Sequence, residues 1–563
     1  MKASTRVWFV RALPVAALVS GMAVQAAYAA YLSDRLWFFG DVWDFLLSRG
    51  LTGDPELSLW APHNEHWSTI PIVAFRSMFS VFGLTSYLPY ALMPIVAHVA
   101  IWSVMYVLLR RIGVSAWPAV VSVWAGVFLG GGIGAENTLW EFQVGFLGSG
   151  FFGLLAILFL QTERRSGVVA AWVALVLALA SSGVGLVLVG WTCLNVLLRR
   201  GLLAALSTGA VPGVVYGVWF ALAGSQADGG HIRKDITAFP FRLFEGLNGV
   251  WSNALAMPGA GPVVLGGLLW VVFFRKHSRE AFALGASGLG ALFAAFALFA
   301  YSRSGLGEGA GSSSRYLYFG IVFCAPALAL LVELAGRKIV DRRYSRPVAT
   351  TVVLVLTGAL GLAHLNHFAD DRSANWIGDL RGRLAATTRL IDEGAPLVGS
   401  LPSPAYNPNI TVDALKSAGV LDDLRDVEVS PNDYLDARGQ LQVRVGDSES
   451  VRLPRAREVT WVGLDSVPGE AEPLERCMTR VVTGAEAFVE FAVPKIGASM
   501  AVLTEANDEI QTSLVDGELI SQPVQWGIDS DGFVMVETTA AGTDLRIRLP
   551  RGEVTVCRTR GSV

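Results

Sequence analysis

The sequence predicts an all-α membrane bundle of about eleven transmembrane helices over residues 1–365, followed by a soluble, mostly β, sandwich-like domain over residues 366–563. Three observations carry this. Hydrophobic residues fill 53% of the 563 positions and charged residues only 16%, whereas soluble domains carry roughly a quarter charged. Apolar runs approaching the roughly 20 residues needed to cross a hydrocarbon core of about 30 Å recur as far as residue 365. After residue 425 the pattern changes to alternating apolar and polar residues between Gly, Asp and Pro turns.

The candidate spans are 8–31, 85–109, 113–133, 144–161, 167–181, 183–198, 202–223, 262–274, 280–300, 317–335 and 347–364. Three are short, and 167–198 can also be read as a hairpin bent around Ser181-Ser182-Gly183. Basic residues cluster at alternate connections: Lys2 and Arg6, Arg110-Arg111, Arg164-Arg165, Arg199-Arg200, Arg275-Lys276, and Arg337-Lys338 through Arg346. By the positive-inside rule these ends, including the N-terminus, are cytoplasmic in a multi-pass protein of the inner (plasma) membrane. Residues 32–84, 134–143, 224–261, 301–316 and everything after 365 then face the other side. The apolar segment 67–84 would break the alternation if it crossed, so it is expected to be an interfacial amphipathic helix. The first span ends in Ala27-Tyr28-Ala29-Ala30 like a signal peptide, but it is expected to be retained as a helix.

In the soluble region, Leu380 to Ile391 and Val412 to Leu424 read as helices, and Phe488–Val493, Phe533–Glu537 and Leu545–Leu549 as strands. A net charge of -3 gives no sign of nucleic-acid binding. Cys193 and Cys324 lie inside apolar spans, as packing residues do. Cys477 and Cys557 lie in the polar C-terminal region, where an extracytoplasmic compartment would pair them as a disulfide.

The chemistry-bearing residues gather in the loops of one face. Asp41 and Asp44 follow the first span and, three apart on a short helix, would share a side. A carboxylate there can take the proton of an attacking hydroxyl, or it can simply be the solvated end of a loop. His63, Glu65 and His66 can hold a divalent metal but lack the His-Glu-x-x-His spacing of zinc hydrolases. A metal is therefore optional and no cofactor obligatory. Hydrogen bonding to a head group or acceptor is the expected role, against a plain interfacial loop. Glu136, Asn137, Trp140, Glu141 and Gln143 combine the acids, amides and aromatic face that sugar hydroxyls and C–H faces require. Trp140 by itself would serve as an interface anchor, but acids next to a bilayer are costly without a role.

Arg303, Arg315 and Tyr316 lie in a glycine-rich stretch on the side where basic residues are otherwise depleted. Guanidinium groups grip phosphate bidentately, the alternative being ion pairs with Asp or Glu elsewhere in the fold. His231, Arg233, Lys234 and Asp235 suit either substrate capture or a solvated surface. His98, in mid-span, fits an interhelical polar contact.

Gly40-Asp41-Val42-Trp43-Asp44, the His63-Asn64-Glu65-His66 loop and Arg303 through Arg315-Tyr316 together resemble the GT-C superfamily of integral-membrane glycosyltransferases. The resemblance covers the topology of about the first 365 residues. It implies transfer of a sugar, usually with inversion, from a polyprenyl-phosphate donor to a glycan or glycolipid acceptor in envelope polysaccharide assembly, by a hexosyl- or pentosyltransferase. The donor phosphate would then lie near Arg303 and Arg315, and Asp41 would activate the acceptor. The adjacent Asp-Asp or Asp-Glu pair frequent in that family is missing, so the resemblance leaves either Asp41 or Asp44 as the base. In architecture the chain is also similar to the arabinosyl- and mannosyltransferases of bacteria with complex envelopes, an analogy that does not fix donor or acceptor. Two other classes compete. A transporter or flippase would carry ionisable residues in mid-helix and often inverted repeats, whereas here the apolar runs are nearly free of charge. A membrane-anchored envelope-assembly scaffold would place the work in the C-terminal domain.

Overall fold

A chain this apolar must satisfy its backbone hydrogen bonds within itself wherever it meets lipid, and among the described residues up to 372 the long apolar stretches do so as helices. The structure, a computed structural model, describes residues 2–48, 59–162, 164–226, 235–307, 309–338, 345–374, 380–404, 410–446, 458–462, 471–473, 477–482, 487–493, 498–504, 509–527, 532–548 and 552–557. The chain forms two compact units. The first comprises Met1–Phe38, Gly53–Phe82 and Ser86–Asn375; the second comprises Phe39–Thr52, Gly83–Thr85 and Trp376–Val563.

The first unit contains α1 (Lys2–Leu32), α2 (Thr69–Phe82), α3 (Leu88–Arg111), α4 (Ala116–Ala125), α5 (Gly131–Ile133), α6 (Ala135–Leu139), α7 (Val144–Phe159), α8 (Arg165–Leu179), α9 (Val184–Arg200), α10 (Leu202–Leu222), α11 (Phe239–Ala254), α12 (Ala260–Phe274), α13 (Arg279–Ser302), α14 (Ser314–Lys338) and α15 (Ser345–Arg372). A π-helical turn, Gly126–Gly130, joins α4 to α5.

Every candidate span falls on a helix, but the expected count of about eleven is too high. Among the described residues, 8 helical stretches are long and apolar enough to cross a membrane. They are Ala12–Arg35, Leu88–Arg111, Ala116–Ile133, Glu141–Phe159, Leu202–Leu222, Arg279–Ser302, Ser314–Arg337 and Val348–Arg372. The shortfall is one of length. Helices α8 and α12 have 15 residues each and α9 has 17. At 1.5 Å per residue these reach only about 22–26 Å of a core of about 30 Å. The layout is that of a multi-pass membrane protein. Segment 67–84 forms α2, whose 14 residues bury Pro71, Ile72 and Phe75 and expose Val73, Val81 and Phe82.

The second unit begins with α16 (Leu380–Asp392), α17 (Val412–Ser417), α18 (Val420–Leu424) and α19 (Pro431–Leu441). The single helix expected over 412–424 is broken at Gly419, which sits at φ 68°, where a side chain would be strained. Helix α19 was not anticipated, although its start is marked: Ser430 Oγ accepts from the Asp433 N–H at 3.1 Å and Pro431 follows it. Among the described residues, twelve strands come next: β1 (Val443–Gly446), β2 (Glu458–Val462), β3 (Ala471–Pro473), β4 (Cys477–Val482), β5 (Phe488–Ala492), β6 (Ala498–Thr504), β7 (Glu509–Asp516), β8 (Leu519–Ile520), β9 (Val524–Gly527), β10 (Gly532–Thr538), β11 (Asp544–Arg548) and β12 (Gly552–Cys557).

The strands form two antiparallel sheets, ordered β1-β10-β6-β12-β4 and β3-β2-β5-β11-β7-β8, with β9 also on β7. Alternate residues of both sheets, among them Met500, Val502, Val536 and Val556 from one and Val489, Leu514, Leu545 and Ile547 from the other, share one core. That shared core makes the region a sandwich. Cys477 and Cys557 stand opposite each other on β4 and β12 and are joined by a disulfide, with Cα atoms 4.0 Å apart. Cys193 and Cys324 are free.

A buried ion pair ties the helices to the sandwich. The Arg383 guanidinium on α16 donates to Asp436 on α19 (3.3 Å), Gln522 (2.8 Å) and Ser403 (3.4 Å). The other Asp436 oxygen accepts from the Gln522 N–H at 2.6 Å.

Candidate functional site

Small residues let the segment between two spans sink into the bundle. A Cβ at Gly132 would lie 2.7 Å from the Gly361 carbonyl oxygen, and one at Gly134 would lie 2.5 Å from the Tyr318 Cβ. Only glycine permits so close an approach. As a result α6, the extended Trp140 and the 3-10 turn Glu141–Gln143 do not project as an outer loop, as the sequence alone suggests. Glu136, Asn137, Trp140, Glu141 and Gln143 are all buried.

This segment is latched to the start of α14. Ser314 Oγ donates to the Ile133 carbonyl at 2.7 Å and accepts from the Glu136 N–H at 3.2 Å. Asn137 Nδ2 donates to the Arg315 carbonyl at 2.8 Å. The Glu136 carboxylate then receives the Arg315 N–H and one guanidinium N–H, each at 3.3 Å. Next along the chain, the Tyr316 ring stacks on Phe299 at 4.1 Å, and Arg303 Nε donates to its hydroxyl at 3.2 Å. The same Arg303 guanidinium pairs with Glu65 at 3.6 Å. The structure thus brings Glu65, Arg303, Tyr316, Arg315 and Glu136 into one cluster within the first unit. The two arginines are about three-quarters buried, with side-chain exposures of 23% and 28%.

The His63–His66 turn aims Glu65 at that cluster. His63 and His66 exchange backbone hydrogen bonds of 3.0 and 2.9 Å, and Asn64 takes the left-handed conformation at φ 50°. Asparagine tolerates that region because its short polar side chain relieves the steric cost. The His63 ring packs edge-on to Phe142 at 5.7 Å, and the His66 ring fills the space a side chain at Gly183 would need. Among the described residues, no three His, Cys, Asp or Glu side chains come together as metal ligands.

Burial pushes the His66 imidazole below its ordinary proton affinity. The Arg303 and Arg315 charges add to this, while Glu65 opposes it. Folding therefore favours neutral His66, which contributes stability that is complete above the unfolded value near 6.5 and is lost as pH falls below it. In nanodiscs, the wild-type melting temperature is expected to drop on acidification from pH 7 to about 5, and His66→Gln should remove part of that slope. Identical slopes in the two proteins would show that His66 carries none of it.

Next to the cluster lies a second set of buried polar groups. Tyr87 OH donates at 3.1 Å to the Leu139 carbonyl and is also hydrogen-bonded to Glu141 Oε2. Among the described residues, Glu141 Oε1, both amide atoms of Gln143 and Asn137 Oδ1 have no hydrogen-bond partner. Buried polar atoms left unpaired cost about 1–3 kcal/mol each, and these present both donor and acceptor capacity suited to hydroxyl groups.

Asp41 and Asp44 belong to the second unit. Gly40, at φ 63°, turns the chain into a helical turn and the π-helix Asp44–Ser48. Val42, Trp43, Phe45, Leu46 and Leu47 are buried there, and the two carboxylates are the half-buried members of the run. His231, Arg233 and Lys234 lie outside the described residues, whereas the Asp235 side chain caps a short turn by accepting from the Thr237 N–H at 2.9 Å. His98, fully buried, hydrogen-bonds across to Tyr318 OH at 3.0 Å, as an interhelical polar group does.

One cation of the cluster was missed from sequence. Arg372, in the last turn of α15, stacks on Phe368 and lies within electrostatic reach of Glu136 and Arg315. Its signal was the one that marked Arg303: a basic residue at the end of a span where the charge pattern has none. The sequence matches no known protein-family model and no curated protein sequence.

Proposed function

We propose that the chain is an inverting membrane glycosyltransferase that moves a sugar from a polyprenyl-phosphate carrier to a glycan or glycolipid acceptor in envelope polysaccharide assembly. The observation that supports it is the convergence of Arg303 and Arg315 around Tyr316, at the ends of two apolar spans. There an anionic lipid head group can meet two planar guanidinium forks. On this reading the N-terminus is cytoplasmic, the second unit extracytoplasmic, and the membrane the inner (plasma) membrane.

In the reaction an acceptor oxygen attacks the anomeric carbon on the face opposite the phosphate. The carbon–oxygen bond to phosphate breaks, its electron pair leaves with the polyprenyl phosphate, and the hydroxyl proton passes to a carboxylate base, for which Asp41 is the candidate from sequence. The phosphodiester monoanion becomes a more highly charged monoester, so the charge facing Arg303 and Arg315 grows through the transition state. Glu141, Gln143 and Asn137 supply hydrogen bonds to acceptor hydroxyls, and Trp140 an aromatic face.

Replacing Arg303 or Arg315 with Ala should weaken binding of a polyprenyl-phosphate sugar in nanodiscs by about 10–100-fold, the equivalent of one or two charge-assisted hydrogen bonds. Lysine should restore only part of the loss, because the fork is gone. Wild-type donor affinity in both Ala variants would remove the phosphate site from this loop.

A further inference from the structure

Helix α11 is neither apolar nor long enough to be among the candidate spans, yet it exposes large hydrophobic side chains. Its inner face is anchored: Gly246, Gly249 and Val250 are buried in the first unit. Its N-terminal half turns Phe241 (79% exposed) and Phe244 (60%) outward, with Ile236 (67%) in the short turn before it. Residues 241 and 244 stand three apart and share one side of the helix.

The polar side of the same half holds the stretch between α13 and α14. Glu245 Oε1 accepts from the Gly309 N–H at 2.7 Å and from Ser312 Oγ at 3.2 Å, while its other oxygen pairs with Arg242 at 3.0 Å. The Asp235 N–H donates to Ser304 Oγ at 3.1 Å. A Cβ on Gly311 would press within 2.5 Å of the Arg242 carbonyl oxygen. Two spans end at this stretch, α13 at Ser302 and α14 at Ser314, so it sits at the level where chain leaves hydrocarbon for water. The exposed Phe241 and Phe244 therefore sit at that level too, where aromatic side chains partition.

We propose that the N-terminal half of α11 docks on the bilayer, inserting Phe241 and Phe244 at the boundary between head groups and acyl chains, and that Glu245 transmits this anchorage to the loop joining Arg303 to Arg315. The occupant of the apolar face is bilayer lipid, because the face continues the surface of two membrane spans at their ends. The inference holds whether or not the chain transfers a sugar.

The test uses the full-length protein in nanodiscs, one protein per disc, with an environment-sensitive fluorophore on Phe244→Cys in a Cys193→Ser background. Lipids carrying a nitroxide high on the acyl chain should quench it several-fold more than the same label on Glu509→Cys in the sandwich. Equal quenching at both positions would overturn the docking, and so would a blue-shifted but unquenched label, which would place the face against another part of the chain. In a second measurement, the double variant Phe241→Asp, Phe244→Asp should speed amide exchange of residues 304–312 several-fold while leaving the sandwich unchanged. Exchange at the wild-type rate would overturn the coupling through Glu245.

Discussion

Asp41→Asn is expected to lower sugar transfer by about 10²–10⁴-fold, the share that a positioned general base contributes. The amide keeps the size of the carboxylate and can still hydrogen-bond, but it cannot accept the acceptor's proton near neutral pH. The turn should survive the change, since it is built by Gly40 at φ 63° and by burial of Val42, Trp43 and Phe45. Donor binding and membrane insertion are therefore expected at wild-type levels in Asp41→Asn, which separates catalysis from folding. Asp44→Asn should cost less, because Asp44 would orient the acceptor rather than take its proton. If Asp44→Asn alone abolishes turnover in a purified, donor-supplied assay, the two roles are exchanged. If neither substitution matters, the glycosyltransferase reading loses its acid–base residue and the transporter and scaffold readings move ahead.

Arg383→Ala is expected to destabilise the second unit by about 3–5 kcal/mol, because it leaves the Asp436 carboxylate buried without its countercharge. Both partners are almost wholly enclosed, at 3% and 7% side-chain exposure, so solvent does little to screen the loss. The same change strips Gln522 and Ser403 of the donor they share. An apolar replacement of the pair, Arg383→Met with Asp436→Leu, should recover much of the loss, since two desolvated charges are removed together. Chemical denaturation of the full chain, followed by protease cleavage within the sandwich, measures this. A loss below about 1 kcal/mol in Arg383→Ala would mean that the pair behaves like a surface salt bridge.

The candidate cluster was legible by residue type and not by partner. Arg303 and Arg315 stood out because basic residues were scarce on that side, and Glu136 because an acid next to a bilayer needs a reason. That Glu65 meets Arg303, and Glu136 meets Arg315, joins residues 238 and 179 positions apart by their sequence numbers. No local pattern encodes such pairings. Arg372 carried the same charge-pattern signal as Arg303 at the end of α15, but that the fold brings it near Glu136 and Arg315 is again a long-range fact.

Composition and periodicity alone settle that this is a multi-pass helical membrane chain with an alternating β region after it. Hydrophobic span length and period-two alternation are local properties, and the backbone in lipid has few other ways to satisfy its hydrogen bonds. Helix breaks at one residue, such as Gly419, and starts such as Ser430-Pro431 were also written locally, though not read. Tertiary structure alone decided which loops became interior. Gly132 and Gly134 let the Glu136–Gln143 segment sink among the helices, and the Leu84 N–H reaches the Asp423 carboxylate at 2.8 Å across 339 positions, within the second unit. Such approaches depend on the shape of surfaces distant in sequence, and that shape exists only once the chain has packed.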